Sequence, residues 1–154
     1  MSLLKKAAVQ IYEVQQDPND MRIKHIIMPG PVDNIDIIGT IGTIGTIGTV
    51  DIGIMGVPFD KGVILGGGRA GASLAPDAVR AALKRYGTTY DIERKIDISD
   101  LRIMDFGDVS VTEDVTETHN NITIAVERLL SAGIIPIVIG GGHDISIGTG
   151  RALS

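Results

Sequence analysis

The sequence has no cysteine and no tryptophan, and its aromatic side chains are three tyrosines and two phenylalanines. Without thiols it forms neither disulfides nor thiolate metal sites, a usage that suits a cytoplasmic protein. With so few rings, whatever core it builds is aliphatic. Cationic charge is also short: 14 Lys and Arg against 19 Asp and Glu leave a net charge of −5. That balance gives no electrostatic footprint for nucleic acid or an anionic membrane, and neither is expected as a partner. No run reaches the roughly 20 apolar residues of a membrane span. Met1-Ser2-Leu3-Leu4-Lys5-Lys6 lacks the apolar segment of a signal peptide. What the chain does have is 154 residues, 44% of them apolar, and a positive mean hydropathy. That suffices for one domain with a core of ordinary size.

Residues 1–49 read as an arm and residues 50–154 as the domain proper. In the arm, Ala7 to Val14 suits a short helix or strand. Asp17-Pro18-Asn19-Asp20 and Met28-Pro29-Gly30-Pro31 are turn clusters, so the arm is expected to be poorly tied to the core. His25 has no second donor at helical or hairpin spacing and reads as an exposed or packing histidine. Ile38 to Thr49 is four copies of Ile-Gly-Thr. A period of three matches neither strand nor helix, and glycine at every third place weakens both. The tract reads as a low-complexity insertion without chemistry, with an edge strand or an aggregation-prone segment as the alternatives.

From Val50 the patterning becomes regular. Val50 to Val57 reads as a central strand that ends at Pro58 and opens a glycine-rich loop through Gly71. Pro76 at the first helical position and Asp77 near the positive end of the dipole start a helix. Its apolar stripe is Val79, Ala82, Leu83 and Tyr86, with Gly87 as the stop. Leu101 to Met104 reads as a second strand, ending in Asp105-Phe106-Gly107-Asp108-Val109. Thr112 to Thr118 opens a second helix with a buried face of Ile122, Val126, Leu129 and Leu130, ended by Gly133. Ile134 to Ile139 then reads as a strand buried on both faces that breaks into Gly140-Gly141-Gly142-His143-Asp144. This alternation predicts an α/β fold with a parallel sheet flanked by helices.

Parallel strands bring their carboxyl ends to one rim, where open α/β sheets place ligands. The rim would gather Asp60 and Arg69, then Asp105 and Asp108, then His143 and Asp144. An imidazole among carboxylates suits a divalent metal such as Mn²⁺. The structural alternative is that Asp105 and Asp108 cap loop amides and that Arg69 pairs with one of them. A phosphate nest at Gly140-Gly141-Gly142 is a further option, although Gly-x-Gly-x-x-Gly spacing is lacking and no obvious helix follows.

Gly56-Val57-Pro58-Phe59-Asp60, Arg69-Ala70-Gly71-Ala72 with Pro76 and Arg80 downstream, Asp105 to Val109, and Ile134 to Asp144 stand in the order found in the ureohydrolases. From Val50 onward the chain resembles the N-terminal half of a member of this family, which comprises arginase, agmatinase and formimidoylglutamase. The resemblance implies an arginase-like three-layer α/β/α fold, truncated after about three strands, and a pair of Mn²⁺ ions. It implies hydrolysis of a guanidino or formimidoyl C–N bond, releasing urea or formamide, by a hydroxide that the metals activate. His143 matches the first histidine ligand of one manganese ion. Gly142 stands where the usual Gly-Gly-Asp-His pattern has aspartate, and Asp144 follows the histidine, which looks more like the formimidoylglutamase branch. Asp105 and Asp108 take supporting roles.

No residue carries over as catalytic or cofactor-binding beyond that one metal ligand. The Asp-Ala-His-x-Asp and Ser-x-Asp-x-Asp segments that supply the family's other ligands are absent. His119, beside Asn120 and Asn121, is expected as a cap or surface residue near the helix start. The chain is therefore expected to be a fragment, inactive alone. The complete enzyme would take a small guanidino or formimidoyl substrate and could form a homo-oligomer. Two alternatives stand beside this: a non-catalytic half-domain that binds or self-associates through an apolar sheet edge, and a nucleotide-binding α/β module.

Overall fold

The computed structural model describes residues 2–14, 17, 19–31 and 50–154; the Ile-Gly-Thr tract lies outside them. The centre of the fold is β3 (Ile52–Val57), following β1 (Leu4–Lys5), α1 (Ile23–Ile26) and β2 (Ile27–Pro29). β3 lies parallel to β6 (Ile103–Val109) on one side and to β7 (Ile135–Gly140) on the other, with Ile52 opposite both Ile103 and Ile135. Apolar, largely β-branched strands of this kind are what a sheet covered on both faces requires. Every residue of β6 is buried.

The arm is not poorly tied. β2 runs parallel to the first half of β6, and β1 runs antiparallel to its last two residues, so the arm supplies both neighbours on that edge. Leu4, Ala7, Ile11, Ile26 and Ile27 are buried, and Ser110 N–H donates to the Leu3 carbonyl at 2.9 Å. Turn clusters conceal this because the contacts are non-local: short apolar pieces become strands only against a ready-made edge. His25 is half-buried, its Nδ1 accepting from Arg22 N–H at 3.2 Å.

The second strand extends through Val109 rather than stopping at Met104, which places Asp105 and Asp108 inside it. Residues three apart in a strand ordinarily face opposite sides. Between Ile54 and Gly56 of β3, however, β6 advances from Asp105 to Asp108, a bulge containing Gly107 at φ 75°. The extra residue turns both carboxylates toward one partner.

That partner lies on α3 (Ala75–Leu83), which follows the short α2 (Lys61–Leu65) and a 3₁₀ turn at Ala72–Leu74. The buried residues of α3 are Pro76 and Arg80; Val79 and Tyr86 are exposed, and the helix stops before Gly87. Of the expected apolar stripe, Leu83 packs against the core and Ala82 is half-buried, but the fully buried side chain beneath the helix is Arg80, drawn in by the carboxylates. A two-stranded hairpin, β4 (Tyr90–Asp91) with β5 (Ile96–Asp97), interrupts the polar connection.

The second helix, α4 (Val115–Ser131), follows its pattern closely. Asp114 caps it by accepting from Glu117 N–H at 2.8 Å, and Gly133 at φ 75° follows its end. Ile122, Val126 and Leu129 are buried and form the core with Met55, Val57, Phe106 and Val109. Each such side chain contributes roughly 1.5–3 kcal/mol by leaving water. β7 differs from expectation. It is the sheet edge among the described residues, and Ile135 and Ile137 are 64% and 45% exposed. It leads through the triple glycine into α5 (Ile145–Arg151), a helix absent from the sequence reading.

Candidate functional site

The rim is built by the loops that leave β3, β6 and β7 at Val57, Val109 and Gly140. The first and third close on each other. Gly142 N–H donates to the Phe59 carbonyl at 2.9 Å, and a Cβ on Gly141 would overlap that same carbonyl. The glycines thus serve close approach between two loops, and the Gly142 amide is taken rather than turned outward to cradle a phosphate.

The six rim candidates part company. Asp60 stays in the first loop, where its Oδ2 accepts from Gly71 N–H at 2.7 Å, Ser73 N–H at 3.3 Å and Ser73 Oγ at 3.1 Å. The backbone donors at Gly71 and Ser73 hold its carboxyl below the ordinary range. Asp60 therefore folds the glycine-rich loop back on its own start. Arg69 is exposed and has no ion pair among the described residues, so the expected pairing with Asp105 or Asp108 does not occur.

Arg80 takes that place, and its side chain is fully buried. Its Nε donates to Asp105 Oδ2 at 2.9 Å, Nη1 to Asp108 Oδ1 at 2.7 Å, and Nη2 to Asp105 Oδ1 and the Gly107 carbonyl at 3.0 and 2.9 Å. Burial opposes the guanidinium charge, but the Asp105 and Asp108 pairs outweigh it and raise its pKa. This buried fork clamps the bulge of β6 and leaves neither aspartate free at the rim.

His143 and Asp144 point different ways. His143 is exposed at the carboxyl end of β7, and its ring has no hydrogen-bond partner among the described residues. Asp144 turns inward: its Oδ2 lies 2.9 Å from His119 Nε2, and its Oδ1 is buried without a partner. His119, only 6% exposed, is neither cap nor surface residue. It belongs to the buried face of α4, and its ring meets Phe59 edge-on at 6.5 Å between centroids. The available signal was its position three residues before Ile122 and seven before Val126, on the helix's apolar stripe.

Beside these loops runs an open groove of about 580 Å³ lined by Pro58, Phe59, Lys61, Ile64, Val111 and Glu113 among others. Lys61 spans it, its Nζ 2.8 Å from the exposed Glu113 carboxylate, which the ammonium holds below its ordinary pKa.

The sequence pattern of the arginase family matches residues 50–154. The chain belongs to the arginase family. It is 36% identical to the formimidoylglutamase of Salmonella heidelberg (strain SL476) over 102 residues, 66% of this chain and 30% of that enzyme. Among solved structures it resembles Trypanosoma cruzi formiminoglutamase with Mn²⁺ (TM-score 0.64, 40% identity), covering 68% of this chain and 35% of that one. It also resembles the agmatine ureohydrolase of Thermoplasma volcanium (TM-score 0.61, 32% identity), covering 69% and 35%. The chain spans about 30% of the length of the curated relatives it matches.

Manganese accompanies the T. cruzi relative, so the donors of this arginase-family domain can be tested against it. An exposed imidazole is a suitable donor for such an ion. Yet no group of three or more His, Cys, Asp or Glu that could hold a metal exists among the described residues. Asp144 is engaged by His119, and Asp105 and Asp108 by Arg80. These residues by themselves do not fit a metal centre. No helix among the described residues is long and apolar enough to cross a membrane.

Proposed function

We propose that this chain forms part of a manganese-dependent hydrolase of linear amidines, cleaving a formimidoyl or guanidino C–N bond with release of formamide or urea. Formimidoylglutamate is the favoured substrate, because the most similar relatives include formimidoylglutamases. His143 supplies one imidazole donor to a Mn²⁺ ion, and the remaining donors come from polypeptide outside these residues. The observation that carries the reading is the unpartnered, exposed His143 ring on the turn from β7 to α5 within an arginase-family sheet. The 154-residue chain is expected to be inactive alone, because a single imidazole cannot fix an ion with the geometry a hydrolytic site requires.

The test has two parts. The chain is incubated with formimidoylglutamate, arginine and agmatine, with and without Mn²⁺, and formamide and urea are measured; no turnover is expected. In the complete enzyme, His143→Ala should weaken Mn²⁺ binding. Turnover by this chain with two tightly held ions, or manganese affinity of the complete enzyme left unchanged by His143→Ala, would refute the reading.

A further inference from the structure

We propose that residues 2–12 of the arm form a strap that closes over the buried Arg80 cluster, so that strap and cluster open together as one unit. The strap meets the cluster at three places. Leu4 and Lys5 pair antiparallel with Val109 and Asp108, the end of β6 that lies beyond the bulge. Lys6, Ala7, Gln10 and Tyr12 line a cavity of about 220 Å³ together with Asp105 and Gly107. Val9 N–H donates to Asp77 Oδ1 at 3.2 Å, on the first turn of the helix that carries Arg80.

With the strap in place, the Arg80 side chain is fully buried and those of Asp105 and Asp108 are 3% and 8% exposed. Two carboxylates against one guanidinium leave a net negative charge inside, and buried charge is drawn to water wherever water can reach it. The cluster therefore needs a cover, and beside Asp105 and Gly107 the strap supplies it. Its hold is slight. Leu4, Ala7 and Ile11 are its buried side chains, whereas Lys5, Lys6 and Ala8 are exposed. Ser110 fastens its start, donating from N–H to the Leu3 carbonyl at 2.9 Å and from Oγ to the Ser2 carbonyl at 2.7 Å. Short pairing and few buried contacts put a segment at the low end of local stability. Ser110 is also the first residue after β6, so release of the strap frees the start of the second rim loop. No metal enters this device.

The experiment is native-state hydrogen exchange on the ¹⁵N-labelled 154-residue chain in low concentrations of urea. Ser110 N–H reports the strap. Gly107 N–H and Arg80 Nε–H, which both donate to the Asp105 carboxylate, report the cluster. Ile134 N–H, bonded to the Leu129 carbonyl at 2.9 Å, reports the core. The first three should exchange through one opening with the same urea dependence, about tenfold or more faster than Ile134. Leu4→Ala removes the strap's deepest anchor in β1 and should speed all three about tenfold relative to Ile134. Ser110→Ala deletes the Oγ bond alone and serves if Leu4→Ala does not fold. It should speed Gly107 and Arg80 Nε–H together, by about threefold.

Three results would overturn the proposal. If Ser110 exchanges early while Gly107 and Arg80 Nε–H keep pace with Ile134, the arm opens without the cluster. If all four signals share one rate in the parent, the arm opens only with the whole fold and is no strap. If the cluster signals exchange faster than Ser110, water reaches Arg80 with the arm closed, and its cover lies elsewhere.

Discussion

Two buried polar groups flank the sheet, and they are built to different standards. The Arg80 cluster is closed: four hydrogen bonds join the guanidinium to Asp105, Asp108 and Gly107, and Gly107 N–H adds a bond to Asp105 Oδ1 at 3.0 Å. The His119–Asp144 pair is open, with one contact at 2.9 Å and one carboxylate oxygen left without a donor. A closed network in a low-dielectric interior rigidifies what surrounds it, and any single deletion leaves charge uncompensated. An open pair does less for stability, and this one sits directly beside His143. The contrast separates the carboxylates that hold the sheet from the one left half-satisfied beneath the rim.

The largest expected effect breaks the closed cluster. Arg80→Met strands two buried carboxylates and should cost roughly 3–5 kcal/mol in chemical denaturation. Arg80→Lys should recover little of it, because an ammonium cannot reproduce the fork. A loss below about 1 kcal/mol in Arg80→Met would show that the two aspartates are solvated in solution.

A matched pair of glycine substitutions sharpens the comparison at the next scale. A Cβ on Gly56 would overlap Asp108 and lie 2.8 Å from Pro76 and 2.9 Å from Arg80 Nη1, all within the closed cluster. Gly56→Ala should therefore cost about 1–3 kcal/mol, as overpacking of a rigid site does. The nearest atoms around Gly62 all belong to the Asp144 carboxylate, which can swing toward solvent. Gly62→Ala should cost less and should move the His119 ring resonances as that carboxylate leaves. Equal losses at the two positions would mean that the open pair is as rigid as the closed one.

A third test is set by pH. Hydrogen bonds from Gly71 and Ser73 depress the folded-state pKa of Asp60 below its ordinary value of 3.8. A depressed carboxyl contributes stability that is present above the ordinary value and lost as the pH falls through the folded one. Asp60→Asn should accordingly flatten the acid side of the stability profile below about pH 4 and leave its neutral-to-basic side parallel to the parent. Because Asp60 is at the loop surface the change should be modest, and an unchanged acid slope would remove its role in closing the glycine-rich loop.

How much of this was legible in the sequence depends on whether the pattern is local. The second helix announces itself through a polar, acidic opening, an apolar stripe and a glycine stop, and the structure adds the Asp114 cap that the opening conceals. Arg80 stood in a family motif, but its burial was not legible, because periodicity assigns α3 an apolar face, whereas the carboxylates of a bulged strand 25 and 28 residues later decide which face turns inward. The bulge itself hides in Asp-Phe-Gly-Asp, whose even-handed alternation would have put the two aspartates on opposite sides. At the rim, the motif placed His143 at the mouth of the strand, where it stands exposed. It did not show that Asp144 would turn away from it, since the deciding partner, His119, lies in a helix whose polar neighbours made it look like surface.

The smallest expected effect lies at the edge of the sheet. Ile54 and Ile137 stand opposite each other in register, yet Ile54 is 5% exposed and Ile137 is 45% exposed. The same residue type on adjacent strands thus sits in two environments, one inside the sheet and one on a face that nothing in the described residues covers. Ile137→Thr keeps β-branching and so keeps strand propensity. It gives up little burial, so its stability should fall within about 0.5 kcal/mol of the parent. A loss above roughly 1.5 kcal/mol, and one that grows with protein concentration, would instead mean that this face is buried in solution against a second molecule.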